Sequence, residues 1–156
     1  MDRFPSHLAE RTRHRNSVPA PHGSGPVVVW LKSSFRLHEN PAIDLGRHIA
    51  AEHNRPLLIY HGIDERYPHA SLRHHTMLLD AAVDMDEGSR KAGLRYVLHV
   101  ARDGHRPSVM KAFSQSASCI ITDLFPLPPW TNWVDSIAAS AACPVFDVDC
   151  HCVIPM

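Results

Sequence analysis

From residue 27 onward, short apolar runs alternate with longer stretches in which apolar residues recur at helical spacing. V-V-V-W-L (27–31) is continuous and apolar, as expected of a strand buried on both faces. L-L-I-Y-H (57–61), R-Y-V-L-H-V (95–100), C-I-I-T (119–122) and P-V-F-D-V (144–148) give four more strands. The first helical stretch starts at Asn40-Pro41. Asn can accept from an orphan amide there, and Pro is pre-set for the first turn. Ala42, Leu45 and Ile49 follow at helical spacing. Ser71 caps a longer helix with Leu72, Leu79 and Val83 on one face, and Gly93 is placed to end it. Pro107 opens a third helix bearing Val109, Met110, Phe113 and Ala117. P-P-W (128–130) opens a fourth, with Trp130, Trp133, Val134, Ile137 and Ala141. The i, i+3 spacing of the two tryptophans reads as core. This rhythm predicts an α/β fold over residues 26–156: a five-stranded parallel, doubly wound, Rossmann-like sheet with helices on both faces. In such sheets ligands bind beyond the carboxyl ends of the strands, where strand order reverses.

Residues 1–25 do not share the rhythm. They carry Arg3, Arg11, Arg13, Arg15 and P-A-P-H-G-S-G-P with almost no apolar periodicity, which predicts a disordered, mildly basic tail. An organelle transit peptide is the second reading, with Asp2 and Glu10 counting against it.

Composition narrows the class. The 156 residues suit one domain, and 16 Lys and Arg balance 16 Asp and Glu. That balance gives no global electrostatic case for nucleic acid, and no direct DNA binding is expected. The four cysteines (Cys119, Cys143, Cys150, Cys152) are not spaced as a secreted disulfide framework, so an intracellular, cytoplasmic setting is expected. No apolar run approaches the ~20 residues of a membrane span.

Two loops carry candidate chemistry. K-S-S-F-R-L-H-E-N-P-A (32–42) puts Lys32, Ser33, Ser34 and Arg36 at the expected crevice. The plainer reading is an ordinary connection whose Arg36 pairs with a carboxylate. T-D-L-F-P-L-P-P-W (122–130) places Asp123 at the end of the fourth strand, with Leu124, Phe125 and Leu127 beside it. A carboxylate next to an aromatic wall suits a planar heterocycle; a proline-stiffened turn is the alternative. Neither glycine-rich phosphate motif is present. C-H-C (150–152) lacks the ligand spacing of a zinc site, so no metal is expected. His74 and His75 read as packed or solvent-facing. No nucleophile, base or acid–base pair stands out, so no catalytic residue is expected on this chain.

Several strings in register resemble the DNA photolyase/cryptochrome family. They are V-V-V-W-L-K-S-S-F-R-L-H-E-N-P-A-I, R-Y-P-H-A-S-L-R-H-H-T-M-L-L-D-A (66–81), A-G-L-R-Y-V-L-H-V (92–100), T-D-L-F-P-L (122–127) and V-D-C-H-C-V-I-P-M (148–156). T-D-L-F-P-L is nearest to class II photolyases. The resemblance implies the family's N-terminal antenna domain, with sheet order 3-2-1-4-5. It also implies a light-harvesting chromophore, an 8-hydroxy-5-deazaflavin or a folate, near the strand ends. Lys32, Ser33, Ser34 and Arg36 would supply donors, Asp123 would accept from a ring N–H, and Leu124 and Phe125 would give apolar contact. In the family, FAD and lesion DNA belong to a separate helical domain. FAD is therefore not expected on this chain alone. A separate FAD-binding domain or chain is the expected partner, and the chain reads as truncated or split from it. A stand-alone small-ligand or nucleotide-binding module, and a non-catalytic remnant, are the alternatives. Ser34 stands where the family commonly has an acidic residue, and Pro128 where class II has arginine.

Overall fold

The computed structural model describes residues 4–19 and 21–155. Its centre is β2 (Val27–Leu31), buried along its whole length. This strand pairs in parallel with β3 (Leu57–Asp64) on one side and β5 (Cys119–Asp123) on the other. β4 (Arg95–Ala101) and β6 (Val145–Val148) continue the sheet outward, also in parallel. The five run β4-β3-β2-β5-β6, which is the order 3-2-1-4-5 of the five expected strands. Continuous apolar sequence suits β2 and β5 because helices cover both of their faces.

The sheet differs from the expectation in having a sixth strand. β1 (Thr12–His14) pairs antiparallel with β6, so the sheet is mixed rather than wholly parallel. β1 and the short helix α1 (Ser6–Ala9) lie in the segment expected to be disordered. Residues 1–3 and 20 of that segment lie outside the described residues. What holds the segment is backbone pairing, charge and two isolated apolar anchors, Leu8 in the core and Phe4 edge-on to Phe146, which leave no apolar periodicity to read. Arg15 pairs with the buried Asp147 on β6 at 2.9 Å, and Arg11 donates to the carbonyls of Cys152 and Val153.

Helix α2 (Pro41–Glu52) starts as its sequence dictates: the Asn40 side chain accepts from the amides of Ala42 and Ile43. Gly46 lets this helix lie close on the sheet, since a Cβ there would come 2.5 Å from Val29 Cγ2. Helix α3 (Leu72–Lys91) has the Ser71 cap on His74 N–H, and Gly93 at φ +67° turns the chain away after it. Its inward face is not the expected one. Leu72, Leu79 and Val83 are exposed, and Leu78, Ala82, Met85 and Ser89 are buried. Both sets fit helical spacing, and the small and polar members of the buried set hide it in the sequence. Helices α4 (Val109–Ser116) and α5 (Trp130–Ser140) complete the fold. The α2 residues Leu45 and Ile49 and the α3 residue Met85 share one core with Val27, Val29, Ile59 and Ile121. Helix α5 packs Val134 and Ala138 against Val28, Trp30, Tyr60 and Ile120 in the other core.

Candidate functional site

The chain reverses strand order between β2 and β5, and the residues at that point bind one another. Asp123 ends β5 with no exposed surface. Its Oδ1 accepts from Lys32 N–H at 2.9 Å, and its Oδ2 from Ser33 N–H, Ser33 Oγ and Ser34 N–H at 2.6–2.7 Å. The loop after β2 thus folds over the end of β5 and closes that gap. Lys32 is buried too; its Nζ donates to Thr122 Oγ1 at 2.6 Å and to the Asp123 carbonyl at 2.7 Å. Burial pushes the Lys32 ammonium below its usual range, opposed by the carboxylates of Asp123 and Asp147.

The open space lies next to this knot, beyond the ends of β3 and β4. A cleft of about 710 Å³ is walled by Trp30, Tyr60, Tyr67, Trp130 and Trp133, with Lys32 and His61 deeper in. That volume is within the range of small-molecule and cofactor sites. Tyr67 meets Trp130 edge-on at 5.2 Å and Trp133 at 6.1 Å. His61 is buried, stacks against Phe35 at 4.1 Å and shares a 2.9 Å hydrogen bond with the Tyr96 hydroxyl. Burial pulls its pKa down to about 4, only partly opposed by Asp123, so the ring is neutral at neutral pH. Burial pushes the Tyr60 hydroxyl up to about 12, and it shares a 3.0 Å bond with His99 Nδ1. At the mouth, Arg66 donates to both oxygens of Asp64. Those bonds, more than any other effect, pull the Asp64 carboxyl down to about 2.

The arrangement can hold a flat, largely apolar molecule and offer it a few polar contacts from neutral groups. Among the described residues no cluster of three or more His, Cys, Asp or Glu is placed to hold a metal ion. His151 of the C-H-C string instead shares contacts with the hydroxyls of Ser33 and Ser34.

The DNA photolyase family model matches residues 27–156. The chain belongs to the DNA photolyase family. It is 29% identical over 148 residues to a deoxyribodipyrimidine photo-lyase of Methanothermobacter thermautotrophicus, covering 95% of this chain and 33% of that one. It is 26% identical over 136 residues to the deoxyribodipyrimidine photo-lyase of Potorous tridactylus, covering 85% and 25%. The chain therefore spans about a third and a quarter of the lengths of these relatives. Among solved structures, a universal stress protein in complex with cAMP aligns at a TM-score of 0.46 and 14% identity, over 82% of this chain and 100% of that one. So distant a likeness carries no conclusion about function.

Of the residues singled out in the sequence, Lys32 borders the cleft of this photolyase-family domain. Ser33, Ser34 and Asp123 form the closed knot beside it, and Leu124 is buried behind them. Arg36 points away, donating to the Glu39 and Cys150 carbonyls rather than to a carboxylate. Phe125 packs on Trp130 at 4.8 Å, behind the cleft wall. Trp130 and Trp133, read as core, line the cleft instead. Sequence reasoning also passed over Tyr67, Arg66 and Arg106. The rule of the switch point drew attention to the loops after the first and fourth strands. The signal that could have found Arg66 and Tyr67 is I-D-E-R-Y (63–67), a charged and aromatic string at the end of β3.

Proposed function

We propose that this chain is the antenna domain of a photolyase-like DNA repair protein, nearest the class II pattern. In this reading the cleft beside the switch point holds a light-harvesting chromophore of the 8-hydroxy-5-deazaflavin or folate type. The observation that carries the reading is the cleft itself: an aromatic-walled space beyond the strand ends, in a domain of this family. Trp130, Trp133 and Tyr67 would give flat faces to a planar ring, and ring contacts of this kind add to simple burial. Lys32, beneath them, would offer its ammonium edge. Ser33, Ser34, Arg36, Asp123 and Leu124 would act by fixing the loop that carries Lys32, and Phe125 by backing Trp130. The chromophore, when bound, supplies the absorption. The protein excludes water and sets the orientation. FAD and lesion DNA would belong to a separate domain or partner chain, of the kind the longer relatives have room for.

Titration settles the reading against its alternatives. The chain should bind 8-hydroxy-5-deazariboflavin or a reduced folate at micromolar concentration, seen as quenching of tryptophan emission. Trp130→Ala should weaken that binding by about 1–2 kcal/mol. Binding of ATP with no response to either chromophore would favour a nucleotide module. Silence with all three would favour a remnant.

A further inference from the structure

The two edges of the sheet are treated differently. The outer edge of β6 is covered by β1. β4 ends the sheet on the other side, and no strand pairs with its outer edge. Among the described residues no backbone hydrogen bond reaches it beyond its ladder with β3. An open edge is a template for another chain, and proteins guard such edges with proline, lysine, a bulge or a very short strand. β4 has none of these guards. It pairs with β3 in unbroken register from Arg95 to Ala101, reads R-Y-V-L-H-V-A, and is charged only at Arg95. It is also apolar and open on both sheet faces. Tyr96 bonds to His61 on the α3 side, and His99 bonds to Tyr60 on the other. Alternation puts Val100 on the face of Tyr96, and Val97 on the face of His99. Val97 is 44% exposed and Val100 43% exposed.

We infer that the free edge of β4 is a dimer interface, and that its occupant is β4 of a second copy of this chain, running antiparallel about a two-fold axis at Leu98. In that register Val97 lies across from His99 of the second copy, and Val100 across from Tyr96. Pairs of a β-branched residue with a ring are favourable cross-strand neighbours, and both exposed valines are covered. Charge selects the direction. Arg95 is exposed at the start of the strand and forms no hydrogen bond or ion pair among the described residues. Asp103 stands fully exposed in the turn beyond the strand's end, with its Oδ1 taken by Arg106. Antiparallel pairing brings Arg95 beside Asp103 of the second copy, twice over, whereas parallel pairing would set Arg95 on Arg95. The contact is isologous, so it closes on itself. With β1 on the far edge of each copy, the assembly stops at two.

Sedimentation velocity on the intact chain, from about 1 to about 200 µM, should show monomer giving way to dimer. Over the same range, amide exchange within Tyr96–Ala101 should slow. Val97→Lys with Val100→Lys places charge at two exposed edge positions. It should weaken the dimer at least about tenfold and leave the circular dichroism of the monomer unchanged. Arg95→Glu and Asp103→Lys should each weaken it several-fold. Combined in one chain they should restore affinity to within about twofold of the wild type, because each copy then supplies both halves of the reversed pair. These two changes lie at exposed ends of the strand, so they carry the test even where the lysine pair disturbs folding. A wild type that stays monomeric throughout would overturn the inference and leave the edge to a different partner. A dimer indifferent to the lysine pair would overturn it by placing the contact elsewhere. Absence of recovery in the combined charge reversal would overturn the antiparallel pairing.

Discussion

Asp123 and Lys32 show how one buried pair can organise the loop beside the cleft. Each is almost fully buried, and each is satisfied by the other's segment of chain. Removing one partner leaves the other charged and unpaired in the interior, which costs far more than the pair contributes. Asp123→Ala should therefore lower stability by about 3–5 kcal/mol in urea titrations, and adding Lys32→Met should return part of the loss. A purely additive double variant would show that the two do not act together. His61 makes a prediction in pH. Its folded pKa lies near 4, below the ordinary value of 6.5, so folding favours the neutral ring. The unfolded chain binds the proton more readily between those values. The contribution is thus present above about pH 6.5 and is lost as pH falls toward 4. His61→Gln, compared with the wild type at about pH 7 and about pH 4.5, should lose less stability over that interval. Parallel pH profiles for the two proteins would contradict the assignment.

The elements show which local signals can be trusted. Asn40 was legible as a cap because its chemistry is local: one side-chain oxygen reaches two amides a few residues away. The structure adds that its Nδ2 donates to the carbonyls of Ser34 and Arg36, so the same residue also ties down the loop of the Lys32 knot. Asn40→Ala should cost about 2 kcal/mol, more than an ordinary cap, with the extra loss coming from those buried bonds. The facing of α3 was not legible. Two apolar stripes share that helix, and only packing against the sheet decides between them. Met85→Ala should cost about 2–4 kcal/mol, while Leu79→Lys should stay within about 0.5 kcal/mol. A reversal of those two results would restore the face read from the sequence. Trp130 and Trp133 make the same point at α5. Helical spacing made them core candidates, yet the helix sits at the rim of the sheet and turns them to the cleft.

At the scale of the molecule, the N-terminal segment is part of the sheet. β1 covers the edge of β6, and Arg15 brings a positive charge to Asp147, which is 3% exposed. Asp147 Oδ1 has no hydrogen-bond partner among the described residues, so this guanidinium, with the Lys32 ammonium, compensates a buried charge. Its carboxyl is pushed up by burial and held back by Lys32 and Arg15. Arg15→Ala should destabilise the chain by about 3 kcal/mol, and Asp147→Asn in the same background should recover part of it. In hydrogen exchange, the Arg15 amide, bonded to the Val145 carbonyl at 2.8 Å, should be protected well beyond a solvated tail. Fast exchange there would show that the segment is not docked. No helix among the described residues is long and apolar enough to cross a membrane.

The sequence by itself determined the βα rhythm, the five parallel strands with their order, the caps at Asn40 and Ser71, and the family. Each of these rests on near-neighbour chemistry or on strings that survive in register. Tertiary structure decided what depends on residues far apart in the chain. The loop after β2 folds onto Asp123, 90 residues distant, and closes the crevice where a ligand was expected. The open space moves instead to the ends of β3 and β4, where charged and aromatic residues from several connections meet. A three-residue strand held by backbone bonds, one ring stack and the ion pairs of the adjoining Arg15 leaves no periodicity to read, and it becomes visible only when its partner edge is in place.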